Sequence, residues 1–233
     1  MDYFKTIISV YECGSTMDLA KSLSDVFKPP YVIRSYTQTK GRGQYGRSWD
    51  SMLGGLFFTE ALLLENILGF STFLSIPIIR AIKKYVKDVK VKWPNDIVVG
   101  RKKLGGILVE RSNLTYAGVG INVCNDISSV SNIAVRICDF ANIDQTTLFY
   151  EIQEEETQLL GEFVRNGFQN FVEEYNRNLV FINEEIQIES DRIYKGVVLG
   201  AGKNGELLLE THNGVAEIYS GTVLNFYEET LKK

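Results

Sequence analysis

The sequence predicts an α+β fold followed by a small barrel-like β module. Three observations predict it. Strand-like and helical runs follow one another irregularly, without the strict alternation of a doubly wound parallel sheet. Runs 89–99, 104–111 and 116–123 are strand-like and separated only by short polar breaks, which reads as antiparallel hairpins. Beyond Phe181, only short strands with turn signals between them remain.

The elements follow in order. Residues 1–12 open with Asp2 and Lys5 and alternate like a strand, clearest over 7–11, without the pattern of a signal peptide. Ser15 or Thr16 is a natural N-cap for a helix with Met17, Leu19, Ala20 and Leu23 at helical spacing. Pro29 and Pro30 stop the chain before a β-rich run over 31–38. Residues 40–51 form a loop of glycines and arginines with one tryptophan, and 55–63 is a strand. Apolar spacing predicts a helix over 70–86, with Pro77 kinking it or marking its start. Residues 125–144 are polar and mixed, a surface connection. Residues 146–178 form one long helix or a pair, weakest at Gly161 and Gly167. Strands at 186–188, 192–199, 206–210 and 216–219 complete the module. The expected division is residues 1–180 and 181–233.

Composition narrows the function. Of 233 residues, 45% are hydrophobic and 23% charged, ordinary for a protein with a sizeable core. A net charge of −4 supplies no basic field, so no nucleic-acid partner is expected. Cys13, Cys124 and Cys138 have no CxxC spacing, which points away from a disulfide framework and toward a reducing cytoplasm. His212 is the only histidine, leaving little for histidine metal sites or a Ser-His-Asp triad. No run approaches the ~18 apolar residues of a membrane span.

The spacing GxGxxG occurs twice. After Gly200, Gly202 and Gly205 the chain continues as a strand, so this match is a turn and not a dinucleotide site. Gly41, Gly43 and Gly46 are interleaved with Lys40, Arg42 and Arg47 and followed by Trp49. Glycines let N–H groups approach an anion, arginine offers a fork of donors, and an aromatic ring can stack on a base. A flexible, solvated basic loop explains the same residues equally well.

Three further motifs follow: Lys92-Trp93-Pro94-Asn95-Asp96, the run from Lys103 to Glu110 reading KLGGILVE, and the run from Gly118 to Val123 reading GVGINV. Each alone has a bland explanation, such as a surface pair between Lys92 and Asp96. In this order, after Ser15-Thr16 and the Gly41–Trp49 loop, they resemble the biotin–protein ligase family. The resemblance is strong over 7–123 and weaker in the C-terminal strands.

The resemblance implies a mixed sheet flanked by helices, a class II synthetase-like catalytic domain, followed by a small SH3-like β-barrel. Some family members begin with a winged helix that represses transcription; here the first catalytic strand starts almost at Met1, so the form without it is expected. The implied reaction activates biotin with ATP to biotinyl-5′-AMP, releasing pyrophosphate, then moves biotin to a lysine of a biotin carboxyl carrier protein. Lys103, Arg42 and Asp96 are the expected catalytic residues: Lys103 and Arg42 meet the anions, and Asp96 orients the incoming amine or removes its proton. Ser15, Thr16, Met17, Gln38, Gly41, Arg42, Gly43, Gln44, Lys103, Gly118 and Gly120 are expected around biotin. Arg42, Gly43, Gln44, Arg47, Trp49, Asn95, Lys103 and Asn122 are expected around ATP or the adenylate. Asn122 either fixes the pocket floor or serves packing alone. Mg²⁺ is expected with the phosphates, with no protein-only metal site. A homodimer is the expected assembly. Gln44 departs from the family's arginine after GRG, so the loop either holds the adenylate less firmly or relies on Arg47 or Lys40. Rival readings are a lipoate or octanoate ligase, a non-catalytic biotin sensor, and a nucleic-acid binder using the Arg-Gly loop.

Overall fold

The computed structural model describes residues 5–227. The first four residues of the N-terminal run, Asp2 among them, and the last six of the C-terminal module lie outside the described residues. Within them, β1 (Thr6–Cys13) and β2 (Tyr31–Gln38) pair in parallel. The crossover between them carries α1 (Thr16–Ser22), because parallel neighbours cannot be joined by a tight turn. From β2 the sheet continues antiparallel through β3 (Leu56–Leu62), β4 (Val89–Lys92), β5 (Asp96–Val99), β6 (Lys102–Arg111) and β7 (Thr115–Ile121), in spatial order β1-β2-β3-β7-β6-β5-β4. The sheet is therefore mixed, as expected.

Strand alternation assigns the two faces. Tyr31, Ile33 and Tyr116 pack with Met17 and Ala20 of α1. Val32 and Phe58 face the opposite way, toward α2 (Phe70–Lys83) and α3 (Gln145–Asn166). There Phe73 stacks on Phe163, ring centroids 4.5 Å apart. On β3 the same alternation sends Thr59 to the α1 side and Glu60 to the α3 side.

Several expectations are corrected. The run over 89–99 is two strands, because Trp93-Pro94-Asn95 turns the chain back and pairs Lys92 with Asp96. The second helix begins at Phe70, so Pro77 lies inside it and does not start it. Burial of most of that helix, Phe73 to Ile79 included, offsets the hydrogen bond that proline forfeits. Residues 125–144 are not wholly surface: Ile127, Ala134, Val135 and Ile137 are buried, and Lys103 N–H donates to Ile133 O at 2.8 Å. Gly161 is tolerated within α3, whose N-cap Asp144 accepts from Thr146 and Thr147 N–H. Gly167, at φ 69°, ends it, and α4 (Val172–Asn178) follows after a 3₁₀ turn.

The C-terminal strands β8 (Glu185–Glu189), β9 (Ile193–Ala201), β10 (Leu207–Thr211), β11 (Gly214–Ile218) and β12 (Thr222–Val223) form a second, antiparallel sheet ordered β11-β10-β9-β8-β12. This is the small barrel-like unit, with one short strand that sequence periodicity did not reveal. The second glycine spacing is indeed the β9–β10 turn, Gly205 lying at φ 82°. It is also a dock. Trp93 Nε1 donates to Gly205 O at 3.0 Å, and a side chain at 205 would collide with Thr72 of α2. Ile188, Val198 and Leu207 accordingly share one buried cluster with Phe70 and Trp93.

One buried network is purely structural. Lys5 donates to Glu60 at 2.9 Å and to Glu156 at 2.7 Å, and Gln153 donates to Glu60 at 2.6 Å. Burial, then the Glu60 charge, pushes the Glu156 carboxyl well above the usual range, against the pull of Lys5. Burial also disfavours the charge on Glu60, but Lys5 and the hydrogen bonds bring its carboxyl below the usual range. Glu156 thus holds the proton. A carboxyl raised on folding adds stability that is complete below its unfolded pKa and lost as pH rises through its folded one. Glu156→Gln has no proton to lose. Its melting temperature should gain on the wild type as pH rises from about 5 to about 8; a difference independent of pH would refute the assignment.

Candidate functional site

The site is a groove on the α1 side of the main sheet, where α1, the 40–51 loop, β4–β7 and the start of β12 meet. Its floor exists because two glycines stand where side chains would fill it. A Cβ on Gly120 would lie 2.7 Å from the Trp49 indole, and one on Gly118 3.0 Å from Met17 Cε. Gly106, on neighbouring β6, backs the same indole. The Trp49 ring thus rests on the floor, and its Nε1 is buried with no hydrogen-bond partner among the described residues.

One end of the groove is polar and neutral. Thr16 N–H and Oγ1 donate to Gln38 Oε1 at 2.8 and 3.1 Å, and Gln38 Nε2 donates to Ser51 Oγ at 2.8 Å. Thr59 Oγ1 donates to Thr16 Oγ1 at 2.9 Å. Ser15 holds the N-cap position of α1 with extended backbone but makes no side-chain capping bond; Gln38 meets the exposed helix N–H instead.

The other end is ionic. Asp96 Oδ2 accepts from Lys92 Nζ at 3.0 Å and from the Tyr227 hydroxyl at 2.9 Å, while Oδ1 lies 2.5 Å from Lys103 Nζ. Lys92 is 5% and Asp96 6% exposed, so this is a buried pair and not the surface pair that spacing alone allows. Burial would raise the Asp96 carboxyl, but Lys103 and Lys92 outweigh it and hold it down at about 2. A carboxylate so stabilised is a poor proton acceptor near neutral pH, which favours orienting a cation over general-base work. Burial lowers Lys92 below its ordinary range despite Asp96. Lys103 Nζ also sits 5.1 Å from the Trp49 ring centre, a cation–π contact.

The glycine loop closes over this floor as a tight hairpin. Gly43 N–H donates to Arg47 O at 2.7 Å and Trp49 N–H to Gly41 O at 2.9 Å. The Gly43 N–H is therefore committed within the loop. Arg42 stands at the rim, its guanidinium on Asp18 at 2.6 Å and 3.8 Å from Glu110. The Arg47 guanidinium lies over the Tyr45 ring.

Every site residue named from the sequence lines the groove except two. Gly41 is packed behind it, against Ser51 and the Trp49 carbonyl. Asn122 caps the end of β7, donating its N–H to Leu104 O and accepting from Asn125. Sequence reasoning missed Thr59, Lys92, Gly106, Thr222 and Tyr227. Gly106 and Lys92 lie inside recognised motifs and were legible there. Thr59 and Tyr227 carry no local signal.

Residues 12–125 match the biotin/lipoate A/B protein ligase family. The bifunctional ligase/repressor BirA of Escherichia coli is 31% identical over 81% of this chain, which spans only 64% of that relative. The biotin–[acetyl-CoA-carboxylase] ligase of Mycobacterium tuberculosis is 23% identical over 93% of this chain and 87% of its own length. Among solved structures, the biotin protein ligase of Aquifex aeolicus, in complex with biotin and ATP, superposes with TM-score 0.84 at 27% identity, covering 94% of this chain and 98% of that one. Over residues 12–125 the chain is similar to the biotin/lipoate A/B protein ligase family, and along most of its length it is similar to the biotin–protein ligases.

Proposed function

We propose that the protein is a biotin–protein ligase. The observation that carries the reading is the groove itself: a neutral polar end, a side-chain-free floor, and a cluster of two lysines around Asp96, all in one cleft. The likeness to a ligase whose structure is solved in complex with biotin and ATP supports it. In the first half-reaction, a biotin carboxylate oxygen attacks the α-phosphorus of ATP and pyrophosphate leaves. Lys103, with Arg42 swung in from the rim, would balance the charge of two approaching anions. Met17, Gln44, Gly118 and Gly120 would border biotin beside Ser15, Thr16 and Gln38. Arg47, Trp49 and Asn95 would border the nucleotide, and Gly41, Gly43 and Asn122 would hold the walls.

In the second half-reaction, a carrier lysine nitrogen forms the amide bond to the acyl carbon. The bond from that carbon to the phosphate oxygen breaks, AMP leaves, and the amine proton passes to solvent. Asp96 would orient the amine. Asp96 is the only carboxylate lining the groove among the described residues, and its three donors occupy it. Mg²⁺ would therefore be held by the nucleotide phosphates, whose charge it supplies the means to neutralise. The reading extends to a biotin carboxyl carrier protein as partner, a homodimer, a cytoplasmic setting, and a division into residues 1–180 for catalysis and 181–233 as accessory module. No helix among the described residues is long and apolar enough to cross a membrane.

The test is pyrophosphate release on mixing protein, ATP and Mg²⁺ with biotin or with lipoate. Biotin-dependent release is expected; release only with lipoate would move the protein to the lipoate branch, and no release with either would leave a sensor. Because the adenylate must be shielded from water, residues 40–51 should exchange amide hydrogens at least about tenfold more slowly with biotin and ATP present. Unchanged exchange would remove the closure step.

A further inference from the structure

Tyr227 is contributed by the segment that follows β12, yet its hydroxyl reaches across the molecule to Asp96 Oδ2. That oxygen has a second partner, Lys92 Nζ, while Oδ1 is met by Lys103. Lys92 is itself held over the rings of Phe226 and Tyr227, 5.5 and 5.1 Å from their centres. The two carboxylate oxygens thus have different surroundings. Oδ2 is anchored by the buried Lys92 of β4 and the half-buried Tyr227 of the C-terminal segment, and Oδ1 is met by a lysine whose proposed task lies with the ligand.

We propose that Tyr227 is a positioning residue: it fixes Asp96 through Oδ2 so that Oδ1 can exchange Lys103 for the incoming amine in biotin transfer. This rests on the ligase reading above. The chemistry favours a phenol here. Once Lys103 moves to the ligand anions, Lys92 remains as one charged donor on Asp96, and a second donor is needed that keeps the carboxylate oriented without adding further charge. Burial, followed by the Asp96 charge, raises the Tyr227 phenol far above its ordinary value, so it stays a neutral donor. Arg47 opposes that rise, and the Lys92 ammonium also lies near this phenol, 5.1 Å from its ring centre. The C-terminal module would thereby contribute to the second half-reaction from a distance.

The experiment compares wild type, Tyr227→Phe and, as control, Tyr219→Phe, an exposed tyrosine on the same module. Two rates are measured: pyrophosphate release with biotin and ATP, and single-turnover transfer from preformed biotinyl-5′-AMP to a purified biotin carboxyl carrier domain. For Tyr227→Phe the ratio of transfer to adenylation should fall about tenfold, the scale of one hydrogen bond to a charged group. The fall should sit in the saturating rate and not in the carrier concentration needed for half-saturation; Tyr219→Phe should keep the wild-type ratio. An unchanged ratio, an equal loss in both steps, or a loss confined to half-saturation would overturn the inference while leaving the ligase reading intact. A wild type that releases no pyrophosphate would overturn both.

Discussion

Lys103→Ala should lower biotin-dependent pyrophosphate release by about 10²–10³-fold, the cost of removing one preorganised charge-stabilising donor. The loss should appear in kcat, because charge develops between the two anions only as the phosphorus is attacked. Folding should survive. Lys103 is one of three partners of Asp96, and Lys92 and Tyr227 remain on Oδ2 after its removal. Its backbone bonds to Ile133 O and Val135 N–H do not depend on the side chain. A melting temperature near that of wild type with pyrophosphate release reduced less than tenfold would place the essential cation elsewhere. Arg42 would be the first alternative, since releasing Asp18 would let it reach the groove.

Trp93→Ala should destabilise the protein by about 3–5 kcal/mol, the usual cost of truncating a buried tryptophan. Trp93 is 2% exposed and belongs to the cluster that joins the main sheet to the C-terminal one. Although it stands between Lys92 and Asp96 in one motif, it points away from the groove, into the core. Trp93→Phe keeps most of the packing but leaves Gly205 O without its donor, at a cost of about 1 kcal/mol. Denaturant unfolding of both variants checks the pair. A Trp93→Ala cost below about 1 kcal/mol would mean that the two sheets are held by other contacts.

Most of the site was legible because its residues fall in short segments whose chemistry is local. Gly41–Trp49, Lys92–Asp96, Lys103 and Gly118–Gly120 each carry their spacing within a few positions, and the sheet brings these segments to one groove. Residue types that favour strands likewise made β2 readable as a β-rich run, and β3 was read as a strand. Boundaries were less legible where packing overrode local preference, as at Pro77, or where a turn hid inside an apolar run, as at Trp93-Pro94-Asn95.

By itself the sequence determined the α+β class, the order of the elements and the residue types that line the groove. The pattern of apolar and glycine positions is set by local backbone geometry, and that geometry repeats every two or 3.6 residues. Only the tertiary structure decided which partners those residues take. Tyr227 bonds Asp96 across 131 positions, Trp93 bonds Gly205 across 112, and Lys5 bonds Glu156 across 151. Such pairings leave no periodic trace, because they depend on where distant elements cross once both have packed.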